Sequence, residues 1–379
     1  MFLVSNWGST AVMETNRRRF MGLMAAGLML PVTGVLANTG RSRPLLISAA
    51  SHANRHWLLG TDDTGATRLH YPLPSRAHHV ELHPRQPWVA VAARRPGDYI
   101  EVVDYQNGHQ IARIPVDPGY LFNGHVVFSD DGRWLVSTEE RASDSAGQVV
   151  IRDVEQSFAI AERYSTGGIG PHELLLHNNE LIIANGGIHT HGREKLNLDS
   201  MEPSLAYLDF ASGRLNEQVF MPAEHFQLSI RHMDLNPDGI LAIAMQYQGD
   251  SGDHKPLVAL HRRGQPLQLL AAPEAINRQM KQYCGSIRLD SSGQIAAVSS
   301  PRGHVVTFWD LPRARFLTMM HCRDGCGLSA TGQPGEFLAS SGLGHLYRMN
   351  PRTHERERLP LDPAAARLHW DHHMKLASV

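Results

Sequence analysis

The sequence predicts an all-β protein: a seven-bladed β-propeller closed by pairing N-terminal strands with a C-terminal strand. Three observations predict it. Beyond residue 43 the chain is a succession of short alternating runs rich in Val, Ile, Leu, Tyr and Trp, broken by Gly, Asp, Asn and Pro. These runs fall into groups of four, and the groups recur at roughly 40–60 residues, the spacing of blade repeats. Long helical periodicity is absent, the helix candidates being an apolar segment before residue 37, "PEAINRQMKQY" (273–283) and "DPAAARL" (362–368).

The first element is a targeting signal. "TNRRRFMGLMAAGLMLPVTGVLANT" places Arg17, Arg18 and Arg19 before Phe20, then an apolar run to Leu30 and a small-residue cleavage pattern ending near Ala37. Arg-Arg-x-Phe before a Gly/Ala-softened apolar run is the twin-arginine pattern. It predicts a cleaved signal peptide over residues 1–37, a single propeller domain over 38–379 and a periplasmic protein; a Sec signal or a retained anchor is the alternative. Met13 is a second candidate start. The twin-arginine route carries folded cargo, often with its cofactor loaded, and so favours a cofactor or metal.

The blades follow. "HVVFSDDGRWLVSTEE" is two alternating strands around Asp131-Gly132, a hairpin signal. "HMDLNPDGILAIAMQYQG" repeats it around Asp238-Gly239 and "SIRLDSSGQIAAVSSPRG" around Ser292-Gly293, while "HVELHPRQPWVAVAARRPG" does so with Pro-bearing turns. Third strands such as "YIEVVDY", "QVVIRDV", "SLAYLDF" and "VVTFWDL" come next, then fourth strands such as "QIARIPV". Six complete blades begin near residues 76, 121, 169, 228, 283 and 323. "PLLISAASH", "HWLLGTDD" and "TRLHYPLP" are left over at the N-terminus as three strands of a blade, and "ARLHWDHHMKLA" at the C-terminus as one. Joined, they make the seventh blade and leave no open sheet edge. His372 is expected to turn into the sheet, and Trp370 and His369 to make closure contacts.

Composition narrows the function. Of 379 residues 42% are hydrophobic, and the formal net charge is −1. That balance gives no electrostatic case for nucleic acid or an acidic membrane surface. Three cysteines (Cys284, Cys322, Cys326) are too few for a disulfide-built fold. Cys322 and Cys326 either form a short disulfide or leave Cys326 free.

The sharpest signal is positional. The first strand of each blade lines the central channel, and the matched strands open "HVEL" at His79, "HVVF" at His125, "HELL" at His172, "HMDL" at His232, "SIRL" at Ser286, "CGLS" at Cys326 and "HMKL" at His373. One structural position therefore reads His, His, His, His, Ser, Cys, His. Convergent imidazoles with a thiol suit iron, copper or zinc. The competing reading is a polar channel neck in which these groups satisfy one another, and a third is acid–base catalysis by one or two of them.

Loops expected at the same mouth add charge: Arg94 and Arg95, Glu139 and Glu140, Asn185, His189, His191, Arg193 and Lys195, Gln246 and Tyr247, and Arg302, with Arg231 directly before His232. Arg94, Asn185, Arg193, Lys195, Arg231 and Arg302 are candidate ligand-binding residues. His189 and His191 form a second candidate metal pair, in an unusually long connection over 186–202. "HELLLH" does not match H-E-x-x-H, because His177 comes five residues after His172. No G-x-S-x-G, P-loop or dinucleotide fingerprint occurs.

"GHVVFSDDGRWLVSTEE", "GIGPHELLLHNNELIIANGGIHTHGREKLNLDSMEPSLAYLD", "QLSIRHMDLNPDG", "SSPRGHVVTFWD" and the closing "WDHH" resemble the bacterial domain of unknown function 1513 family over about residues 43–376. The resemblance implies an exported seven-bladed propeller of YVTN or quinoprotein-like type. It is often encoded near iron-uptake genes and periplasmic imelysin-like proteins, with no established activity. Ser286 departs from the His pattern and weakens a full seven-fold ligand set.

The expected function is binding of a transition metal, or of a small anion or chelate, at the channel mouth, in iron or metal acquisition or handling. The alternatives are a metal-dependent oxidoreductase or lyase using the same ring, and a protein-interaction scaffold whose ring is structural. A monomer is expected, with a small ligand or metal as partner and a periplasmic iron-uptake protein as a further one.

Overall fold

Strands such as Trp88–Ala93, "WVAVAA", are apolar on both faces, so both faces must be covered. Outer strands such as His109–Pro115 are polar and largely exposed. Sheets stacked face to face around an axis, each with its outermost strand in solvent, satisfy both demands. A computed structural model of the protein describes residues 43–192 and 194–377. The chain divides into two units, residues 1–41 and 42–379; the expected signal peptide lies outside the described residues.

Among the described residues the strands form seven four-stranded antiparallel blades, the sixth and seventh joined into one eight-stranded sheet by a parallel bridge between Leu328 and His373. Their innermost strands are Ala77–Leu82, Tyr120–Phe128, Pro171–His177, Leu228–Leu235, Ser286–Leu289, Gly325–Ala330 and His369–Ala377. The first six each run outward through the next three strands, the third blade after a two-stranded hairpin inserted between its second and third strands. The seventh blade is composite: His369–Ala377 pairs with Leu45–His52, which pairs with Arg55–Asp62 and then Thr67–Leu73. Its register runs from Leu45 opposite Ala377 to Ser51 opposite His369. Inside this seam the Ser48 hydroxyl donates to the His373 carbonyl at 2.7 Å.

The expected turns are present. Gly132 takes a φ of 75° and its N–H donates to the Ser129 carbonyl at 2.8 Å, closing the Asp131-Gly132 hairpin. The two helix candidates are reduced to one short α-helix, Glu274–Gln279, and one 3-10 turn, Ala365–Arg367. No helix among the described residues is long and apolar enough to cross a membrane.

The core is a chain of apolar layers between blades rather than one central mass. Leu45, Ile47 and Leu58 of the seventh blade meet Val80, Val89 and Val91 of the first. Ala90 and Ile100 of the first meet Val126 and Leu135 of the second, and Phe308 of the fifth meets Phe337 of the sixth. Leu338 and Leu346 of the sixth meet Leu59 and Trp370 of the seventh. Hydrophobic burial of this kind closes the ring only if every neighbour is present, so the C-terminal strand carries weight beyond its length.

The innermost strands share one irregularity. A register shift falls after Ala77, Phe122, Pro171, Ile230 and Gly325, and at Ser48–Ala50 opposite Trp370–Met374. Only Ser286–Leu289 pairs without interruption. A bulge inserts extra residues on one strand and re-aims side chains. Six bulges at one level therefore turn adjacent residues into the same channel.

Candidate functional site: an imidazole hub between two mouths

The bulges deliver more imidazole than a strict two-residue alternation allows. His79, His125, His172, His232 and His373 converge as the repeat predicts, with ring centroids 4.8–4.9 Å apart for His125–His373, His79–His125, His79–His373 and His232–His373. His125 and His172 are 4.5 Å apart and His172 and His232 are 4.8 Å. His78 and His372 join them: His78 lies 4.7 Å from His373 and 4.9 Å from His125, and His372 lies 5.8 Å from His78. The expectation that His372 turns into the sheet is thus corrected, because the bulge at Trp370–Met374 breaks the alternation on which it rests. Trp370 is buried in the inter-blade layer, and the His369 ring contacts the Gly342 carbonyl, both in the closure role.

Gly124 makes room for this crowding. It has a φ of 92°, and a Cβ placed there would stand 3.0 Å from Cδ2 of His78. Only glycine combines that backbone with that approach.

Two carboxylates orient the cluster. Asp371 accepts from His78 Nδ1 at 3.3 Å and from Arg76 Nε at 2.6 Å. Burial works against the charge on Asp371, but the hydrogen bond from His78 and the Arg76 guanidinium outweigh it and hold the carboxyl below the ordinary range. With its Nδ1 proton committed, His78 keeps its lone pair on Nε2. Glu173 accepts from His232 Nδ1 at 3.1 Å and from the Met233 N–H at 3.0 Å, and Arg288 stands 3.6 Å from its other oxygen. This carboxylate–histidine pairing is the arrangement that fixes tautomers around metals.

The hub is neutral and short of partners. Burial, above all, lowers the pKa of His78 and pushes those of His79, His125, His172, His232 and His373 well below the ordinary histidine value; His372 falls to about 3. His125 Nε2 and His373 Nε2 are 3.2 Å apart. Among the described residues, His78 Nε2, His79 Nδ1, His125 Nδ1 and His373 Nδ1 are buried and find no hydrogen-bond partner. Buried polar atoms are rarely left so. Five groups of three side chains each bring their ligand atoms within 4.8 Å of one another: His78–His125–His172, His78–His232–His373, His78–Asp371–His372, His79–Glu173–His373 and His125–Glu173–His232. These His and carboxylate groups could hold a metal ion.

The hub separates two unlike mouths. On one side His78, His172, His232 and His372 floor a cavity of about 250 Å³ walled by Arg94, Arg95, Lys195, Arg231 and Arg302. Arg231 is buried, its guanidinium pushed down to about 9 by burial and by Arg95, and its Nε has no partner among the described residues. The Arg302 guanidinium stacks 4.3 Å from the Tyr283 ring centroid. Cations gathered in a cleft raise the local concentration of anions. On the other side His79 and Glu173 face a cavity of about 560 Å³ with an acidic lining: Glu81, Asp130, Glu173 and Asp234 outnumber Arg288 and Lys375, with Lys375 bonding Glu81 at 2.7 Å and Arg288 beside Glu173.

Of the candidate ligand-binding residues, Arg94, Lys195, Arg231 and Arg302 thus meet at one mouth. Arg193 lies outside the described residues. Asn185 does not reach the mouth: it is buried within the third blade, donating to the Thr166 carbonyl at 2.9 Å, and Asn123 lines the cavity instead. His189 and His191 also stay outside the hub. The long connection folds as a hairpin, Thr190–His191 against Glu194–Lys195, which leaves His191 exposed and brings Gly192 and Lys195 over the cationic mouth. Cys326 belongs to none of the five ligand groups; its thiol donates to the Asp324 carbonyl at 3.2 Å, and burial raises its pKa well above the ordinary value. All three cysteines are free thiols. Sequence reasoning missed His78, His372, Glu173 and Asp371. The available signal was two or three consecutive polar residues in an inner strand (His78-His79, His172-Glu173, Asp371-His372-His373), where alternation should place an apolar residue.

Fold and site together define a seven-bladed β-propeller with a buried histidine hub. The chain belongs to the family described as protein of unknown function (DUF1513), which matches residues 71–377. Among solved structures the hydrazine synthase of Kuenenia stuttgartiensis is similar, at 14% identity and a TM-score of 0.60, covering 87% of this chain and 99% of that one. At that identity the likeness concerns the fold alone. No curated protein matches the chain.

Proposed function

We propose that this protein is an exported periplasmic metal-binding propeller. It holds a transition metal (copper, zinc or iron) in the imidazole hub and admits an anionic ligand or chelate through the cationic mouth, in metal acquisition or handling. The observation that carries this reading is the set of buried imidazole nitrogens without partners, in a hub whose rings are held neutral by burial. Neutral imidazole is the form that ligates metal. A polar neck satisfied by its own members would leave few such nitrogens unpaired.

The cationic cavity shares His78, His172, His232 and His372 with the hub, so an anion seated among Arg94, Arg231 and Arg302 lies against the metal ligands. That adjacency favours, as a second reading, a metal-dependent oxidoreductase or lyase acting on an anionic substrate. The test is metal content of natively exported protein beside its His172→Ala/His232→Ala variant. Stoichiometric metal in the wild type and its loss from a folded variant are expected. Metal retained unchanged in the variant overturns the hub as the site, and absence of metal with no binding on titration leaves the scaffold reading.

A further inference from the structure

Seven imidazoles and two carboxylates are more than one ion can use, since transition metals take about four to six ligands. The surplus is arranged. Three pairings of the five ligand groups have no residue in common, and one of them, His78–His125–His172 with His79–Glu173–His373, also divides the partnerless hub nitrogens evenly. These two groups face opposite ways along the channel. His78 and His172 floor the cationic cavity, whereas His79 and Glu173 line the opposite one. Each group contains two of the partnerless buried nitrogens among the described residues: His78 Nε2 and His125 Nδ1 in the first, His79 Nδ1 and His373 Nδ1 in the second. The groups touch through His125 and His373, whose Nε2 atoms are 3.2 Å apart.

From these observations we infer that the hub holds at least two metal ions side by side along the channel axis, one toward each mouth; this rests on the metal-binding reading above. The two positions differ chemically. The first has three neutral imidazoles, and its free coordination side meets Arg94, Arg231 and Arg302, so an external anion completes it. The second includes the Glu173 carboxylate, steadied by His232, the Met233 amide and Arg288, and has no cation-walled pocket of its own. The ion toward the cationic mouth is therefore the one that takes an external anion, and the ion beside Glu173, facing an acidic cavity, is the one that does not.

The test is titration of the chelator-treated full chain with cobalt(II), followed by its visible d–d absorption and by the metal-to-protein ratio after gel filtration. At least two equivalents are expected in the wild type. Glu173→Gln and His172→Gln should each remove one equivalent, and sodium azide should shift the bands that survive in Glu173→Gln but not those that survive in His172→Gln. Saturation at one equivalent in the wild type, which needs no variant to fold, overturns the two-ion arrangement while leaving metal binding intact. No bound cobalt overturns both. Azide shifting both sets of bands equally overturns the division into an anion-taking and an anion-excluding position.

Discussion

Acidification should unfold the metal-free protein far above the pH at which carboxylates are protonated. His79, His125, His232, His372 and His373 are buried and His172 is partly buried at the cavity floor, and burial lowers every one of their pKa values. In the unfolded chain each titrates near about 6.5. Between the folded and unfolded pKa the unfolded state binds more protons, so stability is complete above about pH 6.5 and lost as pH falls below it. Going from pH 7.5 to 5.5 costs about 1.4 kcal/mol per histidine, or about 8 kcal/mol for six. That is most of the roughly 5–15 kcal/mol that holds an ordinary domain together. Arg231, Arg288 and Lys375 oppose protonation of the hub; Asp371 favours it at His78 and His372, and Glu173 at His125, with burial outweighing them at each. Asp234, whose carboxyl is raised by burial, gains from acid, one group against six. Urea unfolding of the chelator-treated full chain at pH 7.5 and 5.5, followed by tryptophan fluorescence, measures the difference. A loss below about 2 kcal/mol, the share of one or two imidazoles, would refute the neutral hub.

Four further outcomes are expected. Trp370→Ala should cost about 3–5 kcal/mol in chemical unfolding, because its indole is 2% exposed between the sixth and seventh blades; deletion of residues 366–379 should leave no soluble folded protein. Gly124→Ala should cost about 1–3 kcal/mol, from a strained backbone and a Cβ against His78, and should weaken metal binding as that ring is displaced. Asp371→Asn should lower metal affinity about 10–100-fold in a competition titration while the fold persists by circular dichroism, since it removes the carboxylate that fixes the His78 tautomer.

The fold was legible because turn chemistry and alternation agree at every blade. Asp131-Gly132 and its counterparts mark where strands reverse, and the unmatched strands at the two ends imply one another. The repeat position also identified five histidines of the hub. What stayed hidden was set by the bulges. An inner strand read with a strict period of two sends His78, His372 and Glu173 away from the channel; the inserted residues bring them in. Ser286 stands on the one inner strand without a bulge, so its departure from histidine has a backbone counterpart. Asn185 and Cys326 were read as site residues by position in the repeat. Asn185, the last residue of its strand, is instead held inside the blade by Thr166 and Ser204, and the Cys326 thiol by a carbonyl two residues before it. The 186–202 segment was legible as functional by its length, but which of its residues reach the mouth depends on a hairpin whose turn a histidine pair does not reveal.

The most direct test of the central claim is X-ray absorption at the metal edge of the full chain, purified after native export. The hub predicts stoichiometric metal with at least two imidazole nitrogens per ion at about 2.0–2.1 Å and the outer-ring scattering of histidine. Protein that is folded and carries no metal, or metal whose nearest shell is oxygen or sulfur without imidazole, would contradict it.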